Sequence, residues 1–286
     1  QKAQKNGIKP IIGCECYIAP RTITDKTPLD NKGTRHIVLL AKNMEGYKNL
    51  CKLATISQLE GFYYKPKIDK EILEKHSKGL IGLSACLKGE LSQLILQGKM
   101  EEAIQSAIYY SRLFGDDNYY LEVQHNNIDI QETVNQGLLE IHQKTSIPLV
   151  ATNDCHYLNR EDAEAHEVLL CIQTGQTMND PKRFKFSTDT LYFKSPDDMK
   201  ETLGSYPDAI SNTLDIASRC DVDLNFTGYH FPKFESETGQ TPEVMFDELG
   251  RKGFENRWKQ IVEKNPDADR KIYNDRLDYE IKIVND

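Results

Sequence analysis

Short apolar runs and stretches with three-four spacing take turns through roughly the first 200 residues, a rhythm of strands and helices. Ile8-Lys9-Pro10-Ile11-Ile12-Gly13 predicts a buried strand ending at Cys14-Glu15. His36-Ile37-Val38-Leu39-Leu40-Ala41 predicts a second, stopped by Asn43 and Gly46, with a helix following from Tyr47 towards Leu59. A third strand is expected at residues 79–84, a fourth at 119–123, and a fifth, the clearest, at 147–152. Between them, Met100, Ala103, Ile104, Ala107 and Ile108 share one helical face, and a further helix surrounds residues 134–142. Repeated strand–helix units predict an α/β fold with parallel strands and outer helices, whose chemistry collects at the C-terminal strand ends. From Phe231-Pro232-Lys233-Phe234 onward the pattern is charged and helical, through residues 244–258 and 272–284. The expected boundary lies near residue 228, dividing an α/β domain over residues 1–228 from a helical segment over 229–286. The chain opens on Gln1 rather than Met and its last helical pattern runs to Asp286, so both ends read as cut.

The chain has 286 residues, 38% hydrophobic and 28% charged, and a net charge of −8. That balance argues against a protein that holds nucleic acid by bulk positive charge. No run approaches the ~18 apolar residues of a membrane span. The seven scattered cysteines, Cys14, Cys16, Cys51, Cys86, Cys155, Cys171 and Cys220, form no Cys-x-x-Cys pair. Reduced thiols in a cytoplasmic protein are the expectation, rather than a disulfide framework.

The sharpest chemical signal is Thr152-Asn153-Asp154-Cys155-His156. An Asp and a His two apart beyond a strand can project to one side and share a metal. Glu15, His36 and Cys86 are ligand types at other strand ends. Each also has an ordinary reading: Cys86 as a small buried residue, His36 as a hydrogen-bonded histidine at a strand start. Pattern alone leaves both readings open. His125 reads as a surface turn and His166 as a structural helix residue. Lys182-Arg183-Phe184-Lys185-Phe186 mixes basic and aromatic residues as a single-strand contact would. A solvated loop is the plainer reading of that stretch.

Several ordered stretches resemble the PHP domain of bacterial DNA polymerase III alpha subunits. They are Ile8–Glu15, Arg35–Asn43, Leu83-Ser84-Ala85-Cys86-Leu87-Lys88-Gly89-Glu90, Val150–Tyr157, and Ala165–Gly175. Tyr63-Tyr64-Lys65-Pro66-Lys67 is similar to a family loop near the barrel mouth. The resemblance implies a distorted seven-stranded α/β barrel of TIM-barrel type, N-terminally truncated here, followed by the start of the palm and thumb region. It also implies that Glu15, His36, Cys86, Asp154 and His156 occupy five positions of a nine-ligand metal cluster, with the other four before residue 1. Asp154 and His156 would carry the chemistry, metal-assisted phosphodiester hydrolysis, a 3′–5′ exonuclease in some members and a scaffold for a separate exonuclease subunit in others. Zinc or manganese suits the mixed ligands, whereas magnesium serves polymerisation in the palm. The implied partners are primer-template DNA, the sliding clamp and the proofreading exonuclease; no membrane is implied. Asp267-Ala268-Asp269 reads as a helix start, not a palm carboxylate motif, so this segment should not polymerise. A stand-alone phosphoesterase resembling histidinol phosphatase is the runner-up.

Overall fold

The structure is a computed structural model that describes residues 2–224, 232 and 234–286. Six strands lie among them: β1 (Gly13–Ile18), β2 (Arg35–Ala41), β3 (Lys67–Ile68), β4 (Leu80–Leu83), β5 (Tyr119–Gln124) and β6 (Leu149–Thr152). The helices that accompany them are α1 (Lys2–Lys5), α2 (Pro28–Lys32), α3 (Met44–Leu59), α4 (Lys70–Lys75), α5 (Glu90–Leu96), α6 (Met100–Phe114), α7 (Asp129–Thr145), α8 (Ala163–Thr174), α9 (Pro196–Leu203) and α10 (Pro207–Arg219). Two further helices, α11 (Pro242–Lys264) and α12 (Arg270–Asn285), belong to a second compact unit, Asn225–Asp286, distinct from the first, Gln1–Leu224. The boundary expected at residue 228 lies outside the described residues, as do Phe231 and Lys233.

The strands form one sheet in the order β3-β1-β2-β4-β5-β6. The α/β class expected from the sequence holds, but two details differ. Six strands, not seven, are present among the described residues. The sheet is mixed: β2 runs antiparallel to both β1 and β4, while β1–β3, β4–β5 and β5–β6 are parallel. Two of the parallel pairs, β4–β5 and β5–β6, are joined by helical crossovers, α5–α6 and then α7, which the periodicity does announce. The first strand is also displaced from residues 8–13, because its ladder begins only at Gly13 opposite Leu40. Pro10 has no N–H to give a ladder, and Ile8 and Ile11 are exposed. Glu15 therefore sits inside a strand rather than beyond one.

Alternation along the strands sorts side chains onto two faces. One carries the main core: Ile37 and Leu39 of β2, Leu80 of β4, Leu121 and Val123 of β5, packed against Leu53, Leu73, Ala107, Leu138 and Ile141 from the helices. The other carries a smaller cluster of Ile81, Leu83, Tyr120, Val150, Ile216 and Cys220. By the same alternation Glu15, Tyr17, His36 and Glu122 belong to this second face. The small apolar cluster thus grades into a set of polar groups on one side of the sheet.

Glu90 opens α5 and anchors the helical layer. Its carboxylate accepts from Lys70 Nζ at 2.8 Å, Ser106 Oγ at 2.6 Å and Tyr110 Oη at 2.8 Å, joining α4, α5 and α6. Burial alone would raise its pKa, but these three donors outweigh burial and hold it below the ordinary 4.5. A depressed folded pKa contributes stability that is present above about pH 4.5 and lost as pH falls through the folded value. Glu90→Gln is expected to lower unfolding free energy by about 1.5–3 kcal/mol at neutral pH, the range for a charged hydrogen-bond group. The difference should shrink in urea melts at pH 3, and an equal difference at both pH values would refute the assignment.

In the second unit, Thr241 caps α11, and Asp269 caps α12 by accepting from Lys271 N at 2.9 Å. Asp269 is thus a helix cap, as its place after Pro266 suggested. Trp258 packs on Phe254 and Tyr273, with ring centroids 5.8 and 5.6 Å away, and Ile281 is the one residue buried in these two helices. No described helix is long and apolar enough to cross a membrane.

Candidate metal centre

Glu15 and His36 are set side by side by the β1–β2 register, in which Glu15 faces Val38 and Tyr17 faces His36. His36 Nδ1 lies 2.7 Å from Glu15 Oε1 and 3.9 Å from Cys86 Sγ. The ligand-type atoms of Glu15, His36 and Cys86 all fall within 4.8 Å of one another. The loop carrying Cys86 is clasped onto β2, because His36 N donates to Lys88 O at 3.1 Å and Gly89 N to Cys86 O at 2.8 Å. Gly89 is required there, since a Cβ would stand 2.2 Å from Ser84 O.

The second half of the site follows β6. Asn153 Nδ2 donates to Tyr192 O at 2.6 Å, and Lys194 Nζ donates to His125 O at 2.7 Å and Asn153 Oδ1 at 3.3 Å. His156 N donates to Leu191 O at 2.8 Å. These bonds pin the loop that carries Asp154 and His156. His156 Nδ1 is 2.8 Å from the Asp154 carbonyl, which can only accept. Nδ1 therefore carries a proton, and Nε2 is the ring nitrogen open to a ligand.

The electrostatics join the two halves. The hydrogen bond with His36 holds the Glu15 carboxyl below the ordinary carboxylate range, helped by the charges of His156 and Lys65. Burial raises the Asp154 carboxyl, with Glu15 nearby adding to it. Burial pushes the Cys86 thiol up to about 12, with Asp154 adding to the shift. A raised carboxyl and a thiol held protonated among ligand types are what an added cation would reverse, since it favours the anionic forms. The donor set fits a divalent ion on this ground. Of the five positions expected from the sequence, Glu15, His36 and Cys86 bring their ligand-type atoms within 4.8 Å of one another, whereas Asp154 and His156, on the loop after β6, are not members of that group.

Other candidates divide. His125 is exposed, in a turn where Asn127 has φ of 53°, as expected of a surface turn. His166 is more than a spectator in α8: its ring centroid is 5.3 Å from His156, and Phe186 covers both at 5.7 and 5.1 Å. An open cavity of about 630 Å³ beside them is lined by His166, Phe186, Tyr157, Asn127 and Thr188. Of the basic–aromatic stretch, Arg183 is tied to Glu167 at 2.5 Å and Phe186 is the member that reaches the site. Lys65 Nζ lies 4.7 Å from the Tyr17 ring centre, which brings that loop close to Glu15. Glu122, which the sequence reading passed over, is 4% exposed beneath the site. Burial pushes its carboxyl up to about 7. A lone carboxylate in the apolar run Tyr119-Tyr120-Leu121-Glu122-Val123 was the available signal.

Comparison with known proteins defines the class first: residues 1–126 match the PHP domain family. The chain is also 41% identical to the DNA polymerase III subunit alpha of Borreliella burgdorferi, over 99% of its own length and 24% of that protein. It is 40% identical to the Treponema pallidum subunit, over 97% of this chain and 23% of that one. The Thermus aquaticus subunit is 42% identical, over 90% and 22%. The chain belongs to the DNA polymerase III alpha subunit family and spans about a quarter of the length of these relatives. Because the likeness runs on through the helical unit, well past the PHP match, the stand-alone phosphoesterase is set aside.

Proposed function

We propose that Glu15, His36, Cys86, Asp154 and His156 hold divalent metal for hydrolysis of a phosphodiester at a DNA 3′ end, within a replicative polymerase subunit. The supporting observation is the meeting of carboxylate, imidazole and thiol within 4.8 Å. That mixture suits zinc or manganese better than magnesium, which prefers oxygen shells. A metal held there would supply Lewis-acid assistance to cleavage of the phosphodiester. The chain's own groups orient it: His156 offers Nε2 because Nδ1 is committed to a carbonyl, and Glu15 is kept anionic by its imidazole partner. Lys65, beside Tyr17, supplies a positive charge where an incoming phosphate would lie. The domain over residues 1–228 is the metal-holding part, and residues 229–286 lead toward the polymerase palm and thumb. Primer-template DNA, the sliding clamp and a proofreading exonuclease are the partners of the full-length polypeptide, which would use magnesium elsewhere for synthesis.

The test is titration of the full-length polypeptide with Mn²⁺ and Zn²⁺ by calorimetry, beside an assay on a 3′-labelled oligonucleotide. Cys86→Ala should weaken Zn²⁺ binding at least tenfold, because a thiolate ligand is lost (about 10–100-fold is the scale for even indirect partners). Metal binding that Cys86→Ala leaves unchanged would refute the ligand set. Binding without hydrolysis would leave the domain a metal-stabilised scaffold.

A further inference from the structure

Glu122 carries a structural problem of its own. A carboxylate 4% exposed in a central strand costs far more than an apolar side chain of the same size unless its oxygens are hydrogen-bonded. Here both oxygens are committed. Oε2 accepts the backbone N–H of Ala85, and Oε1 accepts the Thr152 hydroxyl at 2.9 Å. The Glu122 N–H donates to Ser84 Oγ at 2.8 Å. Ala85, which immediately precedes Cys86, has the left-handed φ of 63° that an alanine rarely adopts unaided. Thr152 ends β6 two residues before Asp154, and its hydroxyl also accepts from Gln124 Nε2 at 3.0 Å. One side chain on β5 therefore ties down the departures of both neighbouring strands, β4 towards Cys86 and β6 towards Asp154.

We propose that Glu122 is a positioning residue that sets the separation of Cys86 and Asp154, and through it the affinity of the site for a divalent ion. The inference rests on the metal-holding reading above. Glu122 is not assigned to the ion itself: it lies outside the group of Glu15, His36 and Cys86, and each of its oxygens already accepts a hydrogen bond, from Ala85 or from Thr152. Its role is to hold the strained turn at Ala85 closed and to keep the Asp154 loop in register with it.

Glutamine separates this role from that of a ligand or base. In Glu122→Gln the amide oxygen can accept from Ala85 N–H, and the amide nitrogen can donate to Thr152 Oγ, which has a free lone pair. Glu122→Leu keeps the bulk and loses both bonds. The experiment loads the full-length polypeptide and each variant with Co²⁺. It follows the near-ultraviolet thiolate-to-cobalt band as a report on Cys86, and measures Co²⁺ and Zn²⁺ affinity together with thermal melting. Glu122→Gln should bind like wild type with the band intact. Glu122→Leu should lose about 10–100-fold in affinity, the usual cost of removing a group that orients a ligand, and its band should weaken. Thr152→Val, a milder change that deletes one of the two bonds, should fall between them and guards against a leucine variant that does not fold. The proposal is overturned if Glu122→Gln is as damaging as Glu122→Leu, which would make the charge itself essential. It is equally overturned if Thr152→Val and a folded Glu122→Leu both bind as wild type does. A wild-type polypeptide that binds neither ion fails before any variant is compared, and that result defeats the metal reading itself.

Discussion

Asp154→Asn combined with His156→Ala is expected to abolish metal-dependent release of nucleotides from DNA 3′ ends by the full-length polypeptide. The loss should exceed about a hundredfold, since changing even an outer partner of a metal ligand costs about 10–100-fold. Asparagine keeps the shape of Asp154 but removes the negative charge that would help hold a divalent ion. Alanine removes the Nε2 that the Asp154 carbonyl leaves available by engaging Nδ1. Both positions are on a loop, so the sheet should survive. Asn153, which pins that loop through Tyr192 and Lys194, is untouched. On the proposed reading, in which synthesis belongs to the palm, DNA synthesis by the same polypeptide should persist. Paired exonuclease and primer-extension assays decide the matter, with a melting curve on each variant. Undiminished exonuclease in a folded double variant would move that activity out of this domain.

The largest effect on stability is expected at Leu121. It sits at the centre of β5 with no exposed surface, paired with Leu149 of β6 and buried with Leu138, Ile141 and Ala107. Leu121→Ala leaves a cavity that helices on one side of a sheet cannot close, at a cost of about 2–5 kcal/mol. For a unit of this size the melting temperature should fall on the order of 10 °C. Leu121 is next to Glu122 but on the opposite face, so the loss should appear in the melting transition before it appears in metal affinity at low temperature. Calorimetry of the variant, beside a metal titration at 10 °C, checks both halves. A shift of only a degree or two would mean that this core relaxes freely.

Much of the site was legible because ligand chemistry is carried by residue type. Asp154 and His156 stand two apart after the clearest apolar run in the chain, and Cys86 follows a short one, so their position just beyond strands could be read directly. The apolar run places Glu15 past a strand end, whereas in the structure it lies within β1. Pro10 and the exposed Ile8 and Ile11 show why apolar content misled there. An extended segment joined to β2 by a bond from Ala41 N to Ile12 O at 2.8 Å looks like a strand in composition without having its ladder. The Ala, Val and Leu neighbours of His166 point to helix packing, but its ring meets His156 through the path of a loop that no periodicity describes.

What the sequence determined by itself was local: which segments extend, which coil into helices, and which residues have metal-binding chemistry. Those follow from spacing and side-chain type, which need no partner. The tertiary structure decided the rest. Whether β2 runs parallel or antiparallel to its neighbours depends on the route of the chain between them, since a parallel pair needs a crossover and an antiparallel pair does not. Glu122 shows the same limit from the other side. In the sequence it is one acid among apolar residues, and its meaning comes from Ala85 and Thr152, 37 and 30 positions away, brought to its two oxygens by the pairing of three strands.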